Sequence, residues 1–445
     1  MVNLKESVSA VFRSLDGKIF YVERQPYLSV FPGYTAFPGG KVDRKDQENE
    51  QSCPYPEMSS VHWNTLNREI EEELNFSIRG NLEKIENITL FGTAITPEFN
   101  PYRFKAHFYI IQIKECFPFE VDSGEAKKSG WERPEDLLER YHNGQMMAVP
   151  PIIAMIKKLS SDTLPESAQN LTLPHIEGRE VPMIESIYGV KQFLPLSNTF
   201  PPANRTNCFI IGDAPNRYLI DPSPKDEEEL EKLKRSIDKI GLDSFLISHH
   251  HRDHHEFLPE LYQTYQKPVY MSSLTKTFID ELWGKDYLKG MKIRFLKEGD
   301  EIGSTLGKKL KVYEVPGHDA GQLAIAPEDL SWFFVGDLIQ TIGTVVIGDK
   351  EGDMALYFQS LERVIALAPK FIIPSHGIAL GGVEKLKMTL KHRRMREKQI
   401  KLLYDEGNNL DEILAVVYEG LDERLIKYAK KTIIAHLDKI KKERD

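Results

Sequence analysis

Apolar positions along the first 160 residues fall into short runs with two different periods. Ala10 to Phe12, Ile19 to Val22 and Phe108 to Ile113 read as strands, whereas Leu66 to Leu74 and Ile152 to Leu159 repeat their apolar positions at helical spacing. The pattern predicts an α+β unit. Between Ser160 and about Arg179 the chain turns polar and gathers prolines, the composition of an exposed connection. Beyond residue 180, strand-like runs at Cys208 to Ile211, Tyr218 to Ile220, Phe245 to Ile247, Phe333 to Val335 and Phe371 to Ile373 alternate with charged helical stretches. That alternation predicts sheets covered by helices. From about Lys385 the period is helical. The expected domains are 1–165, 166–384 and 385–445, without an internal repeat. The string Leu356 to Ser360, LYFQS, resembles a tag remnant but sits inside a helical pattern, so it is coincidence.

Composition narrows the class. With 445 residues, 41% hydrophobic and 28% charged, the chain can bury more than one core and is not a disordered polymer. No apolar run approaches the ~20 residues of a membrane span, so no membrane partner is expected. The opening MVNLKESVSAVF lacks a secretory pattern, which makes the cytoplasm the expected location. Cys53, Cys116 and Cys208 are too few and too scattered for a disulfide framework or a Cys-rich zinc site. Net charge is 58 − 67 = −9, yet eight Lys/Arg lie between Lys385 and Lys401 against the single acid Glu397. Such a stretch suits RNA phosphates, the phosphates of coenzyme A, or merely a solvated helix face.

The densest chemistry follows the apolar run Phe245-Leu-Ile, in Ser-His249-His250-His251-Arg-Asp253-His254-His255. In extended backbone His249 and His251 share a side and can converge on one ion while His250 points away. Asp253 and His254, where the chain turns, can reach a second ion. Neutral imidazole with carboxylate suits zinc or a similar metal. His318 in Glu-Val-Pro-Gly-His, Asp337 in Phe-Phe-Val-Gly-Asp and His376 in Ile-Ile-Pro-Ser-His each follow an apolar run and complete a ligand supply for two metals.

His249, His251, Asp253 and His254 match the His-x-His-x-Asp-His pattern, and the segment resembles the metallo-β-lactamase fold. The resemblance implies an αββα sandwich in which His249, His251 and His318 hold one Zn2+ or similar transition metal. Asp253, His254 and His376 would hold a second, with Asp337 bridging. It also implies a structural role for Asp221, although Ser223 stands where glycine is usual. Two dications would activate a shared water, with Asp253 helping to orient it. The basic run and the helices ending near His436 resemble the winged-helix-like extension of lactamase-β-like endoribonucleases and thioesterases, as does Asn204-Arg-Thr-Asn207-Cys-Phe-Ile. Arg393, Arg394 and Arg396 are the expected phosphate contacts there.

In the first unit Arg68-Glu69-Ile-Glu71-Glu72-Glu73 places Glu69, Glu72 and Glu73 on one helix face, next to the stripe Leu66, Ile70 and Leu74. Crowded carboxylates invite hard cations such as Mg2+ or Mn2+ that bridge to phosphates. Upstream, Gly39-Gly40 permits a close approach of loop, helix and ligand. Together these resemble the Nudix box, and the surrounding phrases resemble its peroxisomal coenzyme A diphosphatase branch. The resemblance implies an α/β/α sandwich in which Glu69, Glu72 and Glu73 hold the cation, Glu69 or Glu73 helps deprotonate water, and Gly39, Gly40 and Arg68 meet the substrate. Two departures stand out. Asp46 replaces a glutamate and is followed by 21 residues before Arg68, and Asn75 replaces the closing glycine. Asn tolerates a left-handed backbone.

The combined expectation is a metal-dependent hydrolase of small molecules. Its binuclear centre would cleave a coenzyme A thioester or ester, and its Nudix unit would act on a nucleoside diphosphate derivative. Two alternatives stand beside it: an endoribonuclease cutting single-stranded RNA, and a Nudix unit serving only for binding or dimerisation in a homodimer.

Overall fold

The computed structural model describes residues 4–48, 52–97, 103–161 and 164–444, so Asp162 and Thr163 of the polar connection lie outside the described residues. The chain divides into two compact units, one comprising residues 1–175 and 185–188, the other 176–184 and 189–445.

The first unit is built on a mixed sheet. Its strands run in the order Thr35–Ala36, Ile19–Arg24, Lys5–Ser14, Phe104–Ile113, Ile85–Ile95, Gln169–Asn170. Gly39–Lys41 also pairs with Lys5–Ser14, and Ala126–Glu132 with Ile19–Arg24. One face packs Val8, Ala10 and Phe12 against Trp63, Leu66, Ile70 and Leu74 of the helix Ser60–Leu74. The other packs Val11, Ile19 and Ile110 against the helices Pro134–His142 and Pro150–Leu159. The arrangement is α/β/α. Pro134–His142 was not foreseen, because its charged residues mask an apolar face reduced to Leu137 and Tyr141. The expected boundary at 165 falls too early. Gln169–Asn170 pairs in parallel with Gly92–Thr93, and Leu171 is buried, so this stretch belongs to the first unit's sheet.

The helix Ser60–Leu74 orders the acidic run. The Ser59 hydroxyl accepts from His62 N at its start, and Asn75 ends it with φ 49° and ψ 37°, its N–H donating to Glu71 O. Burial of Leu66, Ile70 and Leu74 contributes about 1.5–3 kcal/mol per side chain.

The second unit contains two sheets. One runs Ile293–Phe295, Val269–Met271, Ser244–Leu246, Tyr218–Ile220, Cys208–Ile211, Val190–Phe193, with its first four strands parallel. The second runs Glu301–Thr305, Lys308–Glu314, Leu323–Pro327, Phe333–Gly336, Phe371–Pro374, Leu380–Gly381. Phe209 of one sheet meets Phe334 of the other edge to face, with ring centroids 5.5 Å apart. Leu230, Leu233 and Ile237 of the helix Glu227–Asp238 pack with Leu219 and Phe245 of the first sheet. Leu361 and Val364 of the helix Met354–Leu367 pack with Phe333 and Ile372 of the second. The LYFQS string is part of that helix.

The helix Glu384–Asp405 joins two cores: Leu386 and Leu390 pack with the second sheet's layer, while Ile400 packs with Ile413, Val417, Ile433 and Leu437. The helices Leu410–Val417 and Ile426–Lys442 complete this smaller core. No helix is long and apolar enough to cross a membrane among the described residues.

Candidate metal centre

The histidine-rich segment begins where Ser244–Leu246 ends, and the other expected ligands leave the C-terminal ends of second-sheet strands: His318 after Lys308–Glu314, Asp337 after Phe333–Gly336, His376 after Phe371–Pro374. Two edges thus bring seven side chains to one place. His249, His251 and His318 form one group whose donor atoms lie within 4.8 Å of one another; Asp253, His254 and His376 form another. His249, His254 and Asp337 gather in the same way.

His251 Nδ1 stands 3.0 Å from His249 Nε2 and 3.0 Å from His318 Nε2. A tetrahedral zinc with ordinary Zn–N bonds needs nitrogens about 3.3 Å apart, so this triangle has the size of one coordination face. Asp253 Oδ2 lies 3.5 Å from His376 Nε2, and Asp253 Oδ1 3.8 Å from His254 Nε2. Asp337 Oδ2 is 3.8 Å from His318 Nε2, 3.8 Å from His254 Nε2 and 3.3 Å from His376 Nε2. It therefore stands between the groups. His254 Nε2 and Asp337 Oδ1 are buried without a hydrogen-bond partner. Such orphans cost about 1–3 kcal/mol each unless something else satisfies them. The donor set fits two transition-metal ions.

The far side of each ring fixes its aim. His254 Nδ1 donates to Asp221 Oδ2 at 2.9 Å, His318 Nδ1 to Val346 O at 2.8 Å and His376 Nδ1 to Arg205 O at 3.0 Å. Each bond turns the opposite nitrogen's lone pair into the site. His249 Nδ1 meets Ser248 Oγ at 3.0 Å, and that hydroxyl donates to Asp221 Oδ2 at 2.6 Å. Asp221, itself in a left-handed conformation with φ 49°, thereby supports ligands of both groups. Ser223 uses the hydroxyl that glycine would lack: it accepts from Glu256 N at 3.1 Å and donates to Arg252 O at 3.2 Å. Asn207 Nδ2 donates to Pro374 O and Gly377 O, both at 2.9 Å, pinning the loop that carries His376. His250 does turn away, pairing with Asp319. Ser248 and Asp319 are supports that sequence reasoning missed; the only signal for Asp319 was its adjacency to His318.

Electrostatics separates the two groups. Burial and neighbouring imidazoles push His249 and His251 well below the ordinary histidine value, which leaves their nitrogens free to bind. Burial also acts downward on His254, but Asp253, Asp221 and Asp337 outweigh it and raise this imidazole well above that value. Asp337 is held well below the carboxylate range by His376 and His254 despite burial.

In the first unit Arg68 is the hub. It donates to Asp46 through Nε at 2.9 Å and Nη2 at 2.8 Å, to Lys41 O at 3.0 Å, to Glu69 at 2.7 Å and to Glu72 at 3.1 Å. Aspartate at 46 therefore pairs with Arg68 across the insertion. Gly39 N donates to Glu73 Oε2 at 3.0 Å. A Cβ at Gly40 would lie 2.3 Å from the Glu69 carboxyl carbon, and one at Gly39 2.2 Å from Val8 O. Gly39, at φ 140° against backbone, is sterically required, whereas at Gly40 a side chain would displace the Glu69 carboxylate. Burial raises Glu69, and it pushes Glu73 up to about 7. Glu69, Glu72 and Glu73 are not among the described side chains whose donor atoms gather within 4.8 Å. Arg68 holds two of them and Gly39 the third.

The three tail arginines are engaged elsewhere, contrary to their expected substrate role. Arg393 is buried, donates to Val345 O and lies over the Tyr357 ring. Arg394 pairs with Glu362, and Arg396 donates to Val417 O and sits 4.7 Å over Tyr418. Arg393 and Arg396 fasten the helix Glu384–Asp405 to its surroundings, while Arg394 remains exposed in a surface ion pair.

Comparison with known proteins agrees with the second unit's geometry. Residues 201–376 match the model of the metallo-beta-lactamase superfamily, and 410–444 that of the beta-lactamase associated winged helix domain. Beyond Asp405 the tail consists of the helices Leu410–Val417 and Ile426–Lys442 joined by turns, with no strand among the described residues. A beta-lactamase-like protein 2 homolog of Drosophila melanogaster is 26% identical over 248 residues, 54% of this chain and 82% of its own. An atrochrysone carboxyl ACP thioesterase of Claviceps purpurea is 25% identical over 232 residues, 49% of this chain and 68% of its own. The crystal structure of a NUDIX hydrolase from Alicyclobacillus acidocaldarius is similar over 36% of this chain and 92% of its own, with 20% identity and a TM-score of 0.31.

Proposed function

Because the second unit is a metallo-β-lactamase domain and the chain a metal-dependent hydrolase, we propose that its substrates are acyl thioesters or esters of a carrier such as coenzyme A. The observation that carries this reading is the pair of three-donor groups with Asp337 between them. His249, His251 and His318 would hold one zinc-like ion, Asp253, His254 and His376 the other. When bound, two such ions supply a water of lowered pKa and polarise the carbonyl oxygen under attack. Asp253 would help to orient that water: its carboxylate is mostly buried, and Oδ2 accepts from Thr206 Oγ1 at 3.4 Å. Attack breaks the acyl carbon–sulfur bond, giving the acid and the free thiol. The relative named a thioesterase supports this choice of bond.

For the first unit we propose a Nudix-type diphosphatase that uses Mg2+ or Mn2+ held by Glu69, Glu72 and Glu73. Arg68 holds Glu69 and Glu72 together, and Gly39 N holds Glu73 on the same helix face. Glu69 and Glu73 are the two candidate bases. A coenzyme A thioester contains both scissile groups, which gives one ligand class to both units.

The test is mass spectrometry of products from metal-replete protein incubated with an acyl-coenzyme A panel. Free coenzyme A is expected from the second unit, and an adenosine bisphosphate with acyl-phosphopantetheine from the first. Intact coenzyme beside a fragmented single-stranded RNA control would overturn the thioester reading. Glu72→Gln with Glu73→Gln is expected to abolish the diphosphate products alone; their persistence would remove the proposed role of these carboxylates.

A further inference from the structure

The first unit brings two imidazoles and a carboxylate together at a point that neither proposed reaction uses. Glu6 lies on the strand Lys5–Ser14, His107 on its parallel neighbour Phe104–Ile113, and His62 near the start of the helix Ser60–Leu74. The register sets Val8 opposite His107, so Glu6, two residues from Val8, projects from the same face. His62 Nε2 is 3.2 Å from Glu6 Oε2, His107 Nε2 is 3.7 Å from Glu6 Oε1, and the two imidazole centroids are 4.3 Å apart. All three donor atoms lie within 4.8 Å of one another.

We infer that Glu6, His62 and His107 form a mononuclear site for a zinc-like transition ion. Two imidazoles with one carboxylate are a borderline donor set that suits zinc far better than magnesium. The observed separations bracket the edge of about 3.3 Å that a tetrahedral zinc face requires. The Tyr109 hydroxyl holds His62 Nδ1 at 2.8 Å, which turns Nε2 toward Glu6. His107 is only 8% exposed, and its Nε2 is buried without a hydrogen-bond partner. At 3.7 Å the Glu6 oxygen is too far to serve. A plain His62–Glu6 ion pair accounts for one imidazole and leaves the other orphaned. A metal satisfies both. The Glu6 side chain is 42% exposed, which leaves an entry path and room for water as a fourth ligand.

Such an ion would tie two strands to the first turn of the helix that carries Arg68 to Glu73. Glu69 is seven residues beyond His62, about 10 Å along the axis at a rise of about 1.5 Å per residue. The site therefore acts as a staple for the acidic run, separate from it in ligands and in metal preference.

Metal counting on the full chain tests this. Wild type, Glu6→Ala and His107→Ala would be loaded with zinc, freed of unbound metal by gel filtration and measured by plasma mass spectrometry. Each variant is expected to hold about one ion fewer per chain than wild type, whatever the histidine-rich centre of the second unit holds. Should His107→Ala fail to fold, Glu6→Ala at its half-exposed position decides. Cobalt loading gives a second readout: the wild-type minus Glu6→Ala spectrum should show the visible bands of a tetrahedral ion. An unchanged zinc count with a featureless difference spectrum would overturn the site.

Discussion

Asp221 is fully buried, yet it holds His254 directly and His249 through Ser248, so the aim of both proposed metal sets depends on one carboxylate. Asp221→Asn is expected to lower metal affinity by about 10–100-fold while the chain stays folded, as competition against a chromophoric chelator would show. Gly40 makes a different demand. Gly40→Ala would push the Glu69 carboxylate aside, and lost diphosphate hydrolysis with little change in the thermal unfolding midpoint is expected. At this scale the gathering of the proposed ligands was legible because metal chemistry favours His and Asp at fixed spacing. Asn75 was legible too, since its left-handed φ of 49° is the conformation the missing glycine would have adopted. Ser248 and Asp319 were not, because a hydroxyl or carboxylate that only orients another side chain leaves no periodic mark. The tail arginines misled for a related reason: charge in a sequence does not reveal whether a guanidinium faces solvent or a carbonyl such as Val345 O.

Elements were recovered wherever an apolar run is wholly buried, as at Cys208–Ile211 and Tyr218–Ile220. The two-residue strand Gln169–Asn170 escaped notice, since its pairing is made by backbone and its side chains are polar. The tail helices offer a pH test. Glu397 accepts from His436 Nδ1 at 3.0 Å and from Lys439 at 2.8 Å. Burial acts upward on Glu397, but these partners hold it below its ordinary value; burial pushes His436 below its own. Both folded values lie under the unfolded ones, so the unfolded tail binds more protons and its stability rises with pH. The contribution is complete above about pH 6.5, weakens first as His436 must charge, and falls again below about pH 4.3 as Glu397 is protonated. Amide exchange in Ile426–Lys442, compared at neutral and acidic pH, should show the loss, and Glu397→Gln should remove its lower step.

At the scale of the whole chain, a different metal chemistry is proposed for each unit. Imidazole-rich sites bind zinc-like ions tightly, whereas a carboxylate face exchanges magnesium readily. Dialysis without chelator is therefore expected to spare thioester hydrolysis and abolish diphosphate hydrolysis, with added Mg2+ restoring only the latter; loss of both together would mean a shared ion. The division into units was readable from composition, but its position was not, because segment 166–175 is polar in sequence and yet joined to the first sheet through backbone bonds. The proposed ligands of the second unit arrive from the ends of two different sheets, Ser244–Leu246 on one side and Lys308–Glu314, Phe333–Gly336 and Phe371–Pro374 on the other. Ions held there would fasten one sheet to the other, so on this proposal metal supply would set how long a newly made chain survives proteolysis as well as how fast it turns over substrate. In a zinc-starved cell the abundance of the protein should then fall before its specific activity does, and the histidine cluster would work as a quality-control checkpoint.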